Sequence, residues 1–309
     1  MISKANEPTS AKPTRPFLKW AGGKTQLLNA IGEVFPFGSA DKFTYVEPFV
    51  GGGAVLFWVL NHFPGVGKVV LNDINGDLTG TYKAISTSVD ALIESLRKWE
   101  SEYHNLSENQ DEKKNYYNAK RALFNERSSN STKQAALMIF LNKTGFNGLF
   151  RVNRSNGFNV PIGSYKKPVI CQEENLRSAS RALAGVEILN GDFEKTLRYA
   201  NKNSFFYIDP PYKPVSDTAH FTSYAKGGFN DEEQERLKRF CDKLTEHQCR
   251  WLLSNSDPVD PMTEIPFFDT LYSKYTINRV LARRSINSNP EKRGLQSEVL
   301  INNFLHNSK

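Results

Sequence analysis

The stretch KFTYVEPFVGGGAVLFWVLNHF, residues 42–63, decides the fold. Its aromatic and β-branched opening stops at Pro48 and a glycine cluster, which predicts a strand followed by a tight turn. AVLFWVLNHF then continues as a helix, and GKVVLNDIN, residues 67–75, is a second apolar strand ending in polar residues. A strand, a helix and a strand in this order open a parallel α/β sheet. Gly51 to Gly53 let the backbone pass close to a ligand, and the helix that follows presents free N–H groups. A complete dinucleotide fingerprint would place glycine at Leu56, so a dinucleotide is disfavoured and a purely structural turn stays open. Asp73 stands at the tip of the second strand. A carboxylate there accepts from both hydroxyls of a ribose, or else it caps a turn.

The same pattern resumes later. VEILNGDF predicts a strand ending in Asp192, SFFYIDPPY a strand ending in Asp209, and CRWLLSNS another strand. DEEQERLKRFCDKL is a helix whose acidic first turn suits its dipole. RVLARRSINSNPEKRGLQSEVLINNF reads as a basic loop between two strand-like ends. Between the two α/β parts the text changes. LTGTYKAISTSVDALIESLRKWESEY and STKQAALMIFLNKT have helical periodicity, separated by the polar stretch NLSENQDEKKN. GFNGLFRVNRSNGFNVPIGSYKKP follows, and its VNRSNGFNVP has the alternation and turn residues of a short hairpin. The expected organisation is a disordered lead-in over 1–15, a cofactor-binding catalytic domain over 16–76 and 184–309, and an inserted helical domain with a hairpin over 77–183.

The net charge of +7 is compatible with a polyanionic partner without identifying one. Cys171, Cys241 and Cys249 have no paired spacing, which argues for a reducing compartment. The five histidines are scattered, so no metal site is expected. No run approaches the roughly 18 apolar residues of a membrane helix, and the N-terminus has no apolar core of a secretion signal. A cytoplasmic protein is expected.

DPPY, Asp209 to Tyr212, carries the most specific chemistry. It follows an apolar strand and so sits at the carboxyl edge of the sheet, where open α/β sheets bind ligands. Pro210 and Pro211 fix an extended turn and remove backbone donors. A carboxylate, a rigid carbonyl and an aromatic ring are presented together, a set that suits a planar ring bearing an exocyclic amine. Asp209 and the Pro210 carbonyl can each accept one N–H of that amine while Tyr212 stacks on the ring. A plain post-strand turn is the alternative.

These residues resemble the amino-group DNA methyltransferases. Asp-Pro-Pro-Tyr is their catalytic motif, and Phe49-Val-Gly51-Gly-Gly53 matches their Phe-x-Gly-x-Gly cofactor motif. The order of glycine motif, long insertion and DPPY is that of the alpha group (the D12 class), which includes the Dam adenine methyltransferases. FLKWAGGK, EPFVGGGAV, NDIN, FNGLFRVN, FNVPIGSYKKP, GDF and DPPY all look like blocks of that family, in order from Pro16 to about Phe304.

The resemblance implies a Rossmann-like sheet that binds S-adenosyl-L-methionine, with an inserted target-recognition domain. It implies methyl transfer to N6 of an adenine flipped out of double-stranded DNA, within GATC. Another short site, or cytosine N4, is the alternative, although the cytosine enzymes more often carry Ser or Asn before Pro-Pro. Trp20, Lys24, Glu47, Phe49, Gly51, Gly53, Asp73, Asp192, Phe193 and Asp209 are then cofactor residues. Asp209, Pro210, Pro211 and Tyr212 are catalytic. Arg151 is suited to a guanine edge, Asn147 to adenine, and Pro161 to a thymine methyl. Leu149 and Phe146 can wedge into the vacated stack. Lys19 matches a lysine that contacts the first guanine, and Asn153 and Tyr165 complete the DNA set. Lys166, Lys167, Arg283, Arg284 and Arg293 would bind phosphates without reading sequence. Ser164 departs from an arginine in several relatives, so one backbone contact is missing. The family is compatible with a cognate restriction endonuclease as partner, and with a monomer or weak dimer on DNA.

FLKWAGGK has the look of a phosphate loop. A Walker loop needs a glycine at Leu18, so the cradle is incomplete. Trp20 and Lys24 are expected to face the cofactor and Lys19 the DNA.

Overall fold

The computed structural model describes residues 12–106, 110–213, 229–259, 265–283 and 295–304. Most of the expected lead-in, and Arg284 and Arg293, lie outside them, as does the side chain of Arg283.

A seven-stranded sheet has the order β3-β2-β1-β4-β5-β7-β6. Its strands are β1 (Thr44–Glu47), β2 (Val69–Leu71), β3 (Glu187–Ile188), β4 (Ser204–Ile208), β5 (Arg250–Ser256), β6 (Thr276–Arg283) and β7 (Leu295–Asn302). β1 pairs in parallel with both β2 and β4, with Tyr45 opposite Val69 on one side and Phe205 on the other. β7 runs antiparallel between β5 and β6. From β1 the chain builds to one side through β2 and β3, then crosses back to lay β4 and β5 on the other. The ends of β1 and β4 therefore flank the point where the strand order reverses, and loops leaving there diverge to form a crevice.

The strand sequences explain the burial. SFFYI is buried at every position, as a central parallel strand covered on both faces must be. Side chains alternate between faces. Tyr45, Phe205 and Tyr207 pack with α2 (Ala54–His62) and the helical insertion, while Val46, Phe206 and Ile208 pack with α8 (Asp231–Glu246) and α9 (Phe267–Leu271). A short α1 (Leu28–Val34) precedes β1.

The insertion contains α3 (Gly76–Thr87), α4 (Val89–Asn105), α5 (Gln110–Glu126), α6 (Ser131–Thr144) and α7 (Glu173–Ala182). α3 and α4 divide at Ser88, inside what reads as one periodic run. Part of the expected polar connector, from Gln110 onward, is the acidic first turn of α5. The hairpin is thinner than its sequence suggests. Val152 and Phe158 form one isolated antiparallel bridge, and Gly145 and Ile162 another, because the segment bonds sideways to α5 instead of extending its own ladder. Tyr117 Oη and Arg121 Nη1 donate to the Val160 carbonyl, and Asn125 Nδ2 to that of Phe158. The strand expected to end at Asp192 stops at Ile188. Gly191, with φ +137°, turns the chain, and Asp192 instead caps a short 3-10 helix over Phe193–Tyr199.

Candidate active site

Asp209 leaves the end of β4 and is held from two sides. Lys24 Nζ lies 2.8 Å from its Oδ1, and Ser254 Oγ donates to the same oxygen at 3.0 Å. Ser254 is in turn bonded to Tyr207 Oη at 2.9 Å. Burial pushes the Asp209 carboxyl above the usual carboxylate range, and the Lys24 and Ser254 bonds pull against that rise. Lys24 is buried at the start of a 3-10 turn over Lys24–Gln26, donates to the Gly22 carbonyl at 2.5 Å, and stands 4.3 Å above the centre of the Tyr212 ring. Its ammonium thus rests on both the carboxylate and the aromatic face of DPPY. Tyr212 Oη donates to Glu298 Oε2 of β7 at 2.8 Å, which fixes the ring from the far side. Pro210 is buried and Pro211 exposed.

Glu47 ends β1 beside Asp209. It is buried and accepts from Tyr45 Oη at 2.8 Å. Burial raises its carboxyl well above the ordinary range, opposed chiefly by the Tyr45 bond and added to by Asp209 and Asp73. Two or more carboxylates close together under one crevice favour a cation there.

The glycine turn follows. Gly51 and Gly53 have φ of +47° and +74°, which non-glycine residues rarely adopt. A Cβ on Gly52 would meet Trp20 Cβ at 2.8 Å, so the indole lies directly on this turn. Gly51 N donates to Asp73 Oδ2 at 3.1 Å, and Asn75 N to Asp73 Oδ1 at 2.9 Å. Each carboxylate oxygen keeps acceptor capacity for a further donor. Asn75, not Asp73, caps α3.

Phe49 and Phe193 come together with ring centres 5.2 Å apart. Asp192 is ion-paired with Arg236 Nη2 of α8 at 2.7 Å, and the guanidinium lies 4.3 Å over Phe193. The Arg236 bond and the Glu194 N–H hold the Asp192 carboxyl below its usual range against a burial effect that raises it.

The DNA residues expected from sequence gather on the loop after α6. Phe146 is 48% exposed and Asn147 and Pro161 are exposed, whereas Leu149 and Arg151 are half-buried. Arg151 Nε donates to Asn159 Oδ1 at 2.7 Å, so its fork is held within the loop. The side-chain oxygen Oδ1 of Asn153 accepts from Ser155 N and Gly157 N and shapes the turn. Lys19 lies on this side, with Nζ 4.4 Å over the Tyr165 ring and donating to Tyr165 Oη at 3.3 Å. Lys166 and Lys167 are exposed.

Four further side chains serve the site and were not singled out by sequence. Asn72 Nδ2 donates to the carbonyls of Pro48 and Gly191 at 3.0 and 2.9 Å, tying the β1 and β3 loops together. Ile74 is 73% exposed beside Asp73, an apolar wall at the crevice rim. Ser254 and Glu298 hold Asp209 and Tyr212. The available signals were polar residues closing otherwise apolar strands, as in VVLND and WLLSNS, and an isoleucine amid polar residues in NDIN.

The family described as D12 class N6 adenine-specific DNA methyltransferase matches residues 20–286. The chain is 46% identical over 298 residues to the type II methyltransferase M.MjaIII of Methanocaldococcus jannaschii, covering 94% of this chain and 99% of that one. It is 34% identical over 302 residues to the type II methyltransferase M1.LlaDCHI of Lactococcus lactis subsp. cremoris, covering 94% and 95%. It is 36% identical over 288 residues to the DNA adenine methylase of Haemophilus influenzae, covering 93% and 92%.

Proposed function

The chain belongs to the D12 class of N6 adenine-specific DNA methyltransferases, and on that premise we propose that it methylates the adenine of GATC in duplex DNA with S-adenosylmethionine as donor. One observation carries the catalytic reading: the Lys24 ammonium sits on the Asp209 carboxylate and the Tyr212 ring, so the pocket already holds a nitrogen cation where a base amine and its ring would go.

The residues present fit the cofactor. The Gly51–Gly53 turn lets a ligand approach the backbone, Asp73 offers acceptors for ribose hydroxyls, and Glu47 and Asp209 suit cationic sulfur and ammonium groups. Ile74, Phe49 and Phe193 with the Asp192 acceptor suit a purine. S-adenosylmethionine supplies an electrophilic methyl group when bound. The chain's own work is positioning and electrostatics. Asp209 and the Pro210 carbonyl accept the two N–H bonds of the amine, Pro211 keeps the turn extended, and Tyr212, braced by Glu298, stacks on the base. The incoming amine takes its acceptor from Lys24. The attacking amine is neutral, and its proton leaves after the transfer, so Asp209 is not a base that acts first.

An adenine inside a duplex must be extruded, at a cost of a few kcal/mol. We assign residues 77–183 as the target-recognition domain. The exposed Phe146, with Leu149, fills the vacated stack. Arg151 reads a guanine, Asn147 an adenine, Pro161 a thymine methyl and Lys19 the first guanine, with Tyr165 steadying Lys19 and Asn153 shaping the hairpin turn. Lys166 and Lys167 take phosphates. The type II names of two relatives support a cognate restriction endonuclease as a further partner. Among the described residues no helix is long and apolar enough to cross a membrane, and a DNA substrate favours the cytoplasm.

The test is transfer of label from S-adenosylmethionine to duplexes with and without GATC, followed by sequencing of methylated bases in DNA from an expressing host. Label in N6-methyladenine at GATC is expected. Label confined to another site would overturn the specificity, and label in cytosine would overturn the target atom.

A further inference from the structure

Asn142 lies in the last turn of α6, 4% exposed, and its hydrogen bonds among the described residues reach Lys19 and Gly148, not the DPPY loop or the glycine turn. Its one amide nevertheless joins the two chain segments that bear on DNA and catalysis. Oδ1 accepts from Lys19 N at 2.9 Å, while Nδ2 donates to the Lys19 carbonyl at 2.8 Å and to the Gly148 carbonyl at 2.7 Å. Only this orientation of the amide satisfies all three partners, because the reverse would face an N–H with an NH2 and two carbonyls with an oxygen.

The two segments lead in opposite directions. Lys19 is followed by Trp20, which lies on the Gly51–Gly52 turn, and by Lys24, which holds Asp209. Gly148 stands between Asn147 and Leu149 in the loop that reads DNA. The contact is close as well as bonded. Gly148 has φ +65°, and a Cβ there would lie 2.6 Å from Lys19 Cβ. Trp20 and Phe150 stack at 5.8 Å just beyond, closing the same junction from the other side. The loop cannot shift along α6 without pulling on Lys19, so its displacement is felt at the start of the turn that carries Trp20 and leads to Lys24.

We propose that Asn142 is a positioning residue that locks the DNA-reading loop to the catalytic pocket, so that a correct site favours transfer and a wrong one does not. This rests on the DNA-methyltransferase reading given above. A buried amide with all its bonds made fixes two backbones relative to each other far more tightly than apolar packing, which tolerates sliding. Its loss should uncouple recognition from chemistry rather than remove either.

The test compares wild type with Asn142→Asp, which keeps the acceptor and loses both donors, with Asn142→Ala, and with Gly148→Ala, which leaves Asn142 intact but forces the segments apart. Leu92→Ala, on the buried face of α4, is a control for general destabilisation. Three quantities are read: cofactor affinity without DNA, kcat/KM on a duplex with the wild-type site, and kcat/KM on that duplex with one base pair changed. The ratio of the two kcat/KM values is expected to fall at least tenfold in each folded junction variant, with cofactor affinity within twofold in the Asn142 variants and the Leu92→Ala ratio unchanged. A ratio within twofold of wild type in the folded junction variants overturns the inference, as does an equal fall in Leu92→Ala. Should neither Asn142 variant fold, Gly148→Ala decides alone. Failure of the wild type to methylate any duplex would instead reject the proposed function.

Discussion

Replacing Lys24 with methionine removes one charge from a buried pair while keeping the bulk of the side chain. Lys24 is 6% exposed, and its Nζ lies 2.8 Å from Asp209 Oδ1. Removing one partner of a buried pair costs about 3–5 kcal/mol. The Asp209 side chain is 20% exposed and keeps the Ser254 bond, which favours the lower end, about 3 kcal/mol. At roughly 2 °C per kcal/mol for a chain of this size, Tm near neutral pH should fall by about 6 °C. The loss must depend on pH. Burial already holds the Asp209 carboxyl high, with Lys24 as the main opposing influence, so the variant's folded-state value rises further. A carboxyl whose folded value lies above its unfolded one of about 3.9 loses stability as pH rises between the two. The Tm gap between variant and wild type should therefore be smallest in acid and widen toward neutrality. The acid limb of kcat/KM, which reports the free enzyme, should move to higher pH, because a protonated Asp209 presents fewer acceptors to the amine. Thermal denaturation and steady-state methylation across a pH series measure both. A Tm gap constant with pH, or an acid limb that stays in place, would refute the reasoning.

Asp209→Ala should reduce methyl transfer below detection while duplex binding stays measurable by anisotropy; persistent transfer would remove Asp209 from the catalytic role. Gly53→Ala forces an L side chain to φ +74° and pushes its Cβ into Tyr82 Oη, which donates to the Gly51 carbonyl at 3.1 Å. The strain and the lost bond together amount to about 2 kcal/mol, so calorimetry should show Tm lowered by about 4 °C, and titration a weaker cofactor. Arg151→Ala should lose about 1–3 kcal/mol of discrimination at one guanine. Lys166→Ala, at an exposed phosphate lysine, should weaken binding equally across sequences, so competition assays with single-base-pair variants separate the two.

The strand–turn–helix–strand opening, the return of α/β text after the insertion, and the positions of DPPY and the glycine turn were legible in the amino-acid order alone. These are local signals: alternation, an all-apolar strand, prolines that forbid helix and glycines at turns. That order also fixed the family, because ordered motif blocks survive in linear text. Local signals did not settle where elements end. β3 stops at Ile188 because its neighbour β2 has only three residues to pair with, and the hairpin forms single bridges because α5 takes its carbonyls. Nor did they settle which side chains meet. Lys24 reads as a cofactor or phosphate lysine in FLKWAGGK, and nothing local in that stretch tells that its ammonium lies on Asp209, 185 positions away at the end of β4. Glu298 on Tyr212, Ser254 on Asp209 and Asn142 between Lys19 and Gly148 are pairings of the same kind. Hydrogen bonds and the contacts of buried charged groups act over a few ångströms, so their partners are chosen by sheet order and helix packing, which no local stretch of sequence encodes.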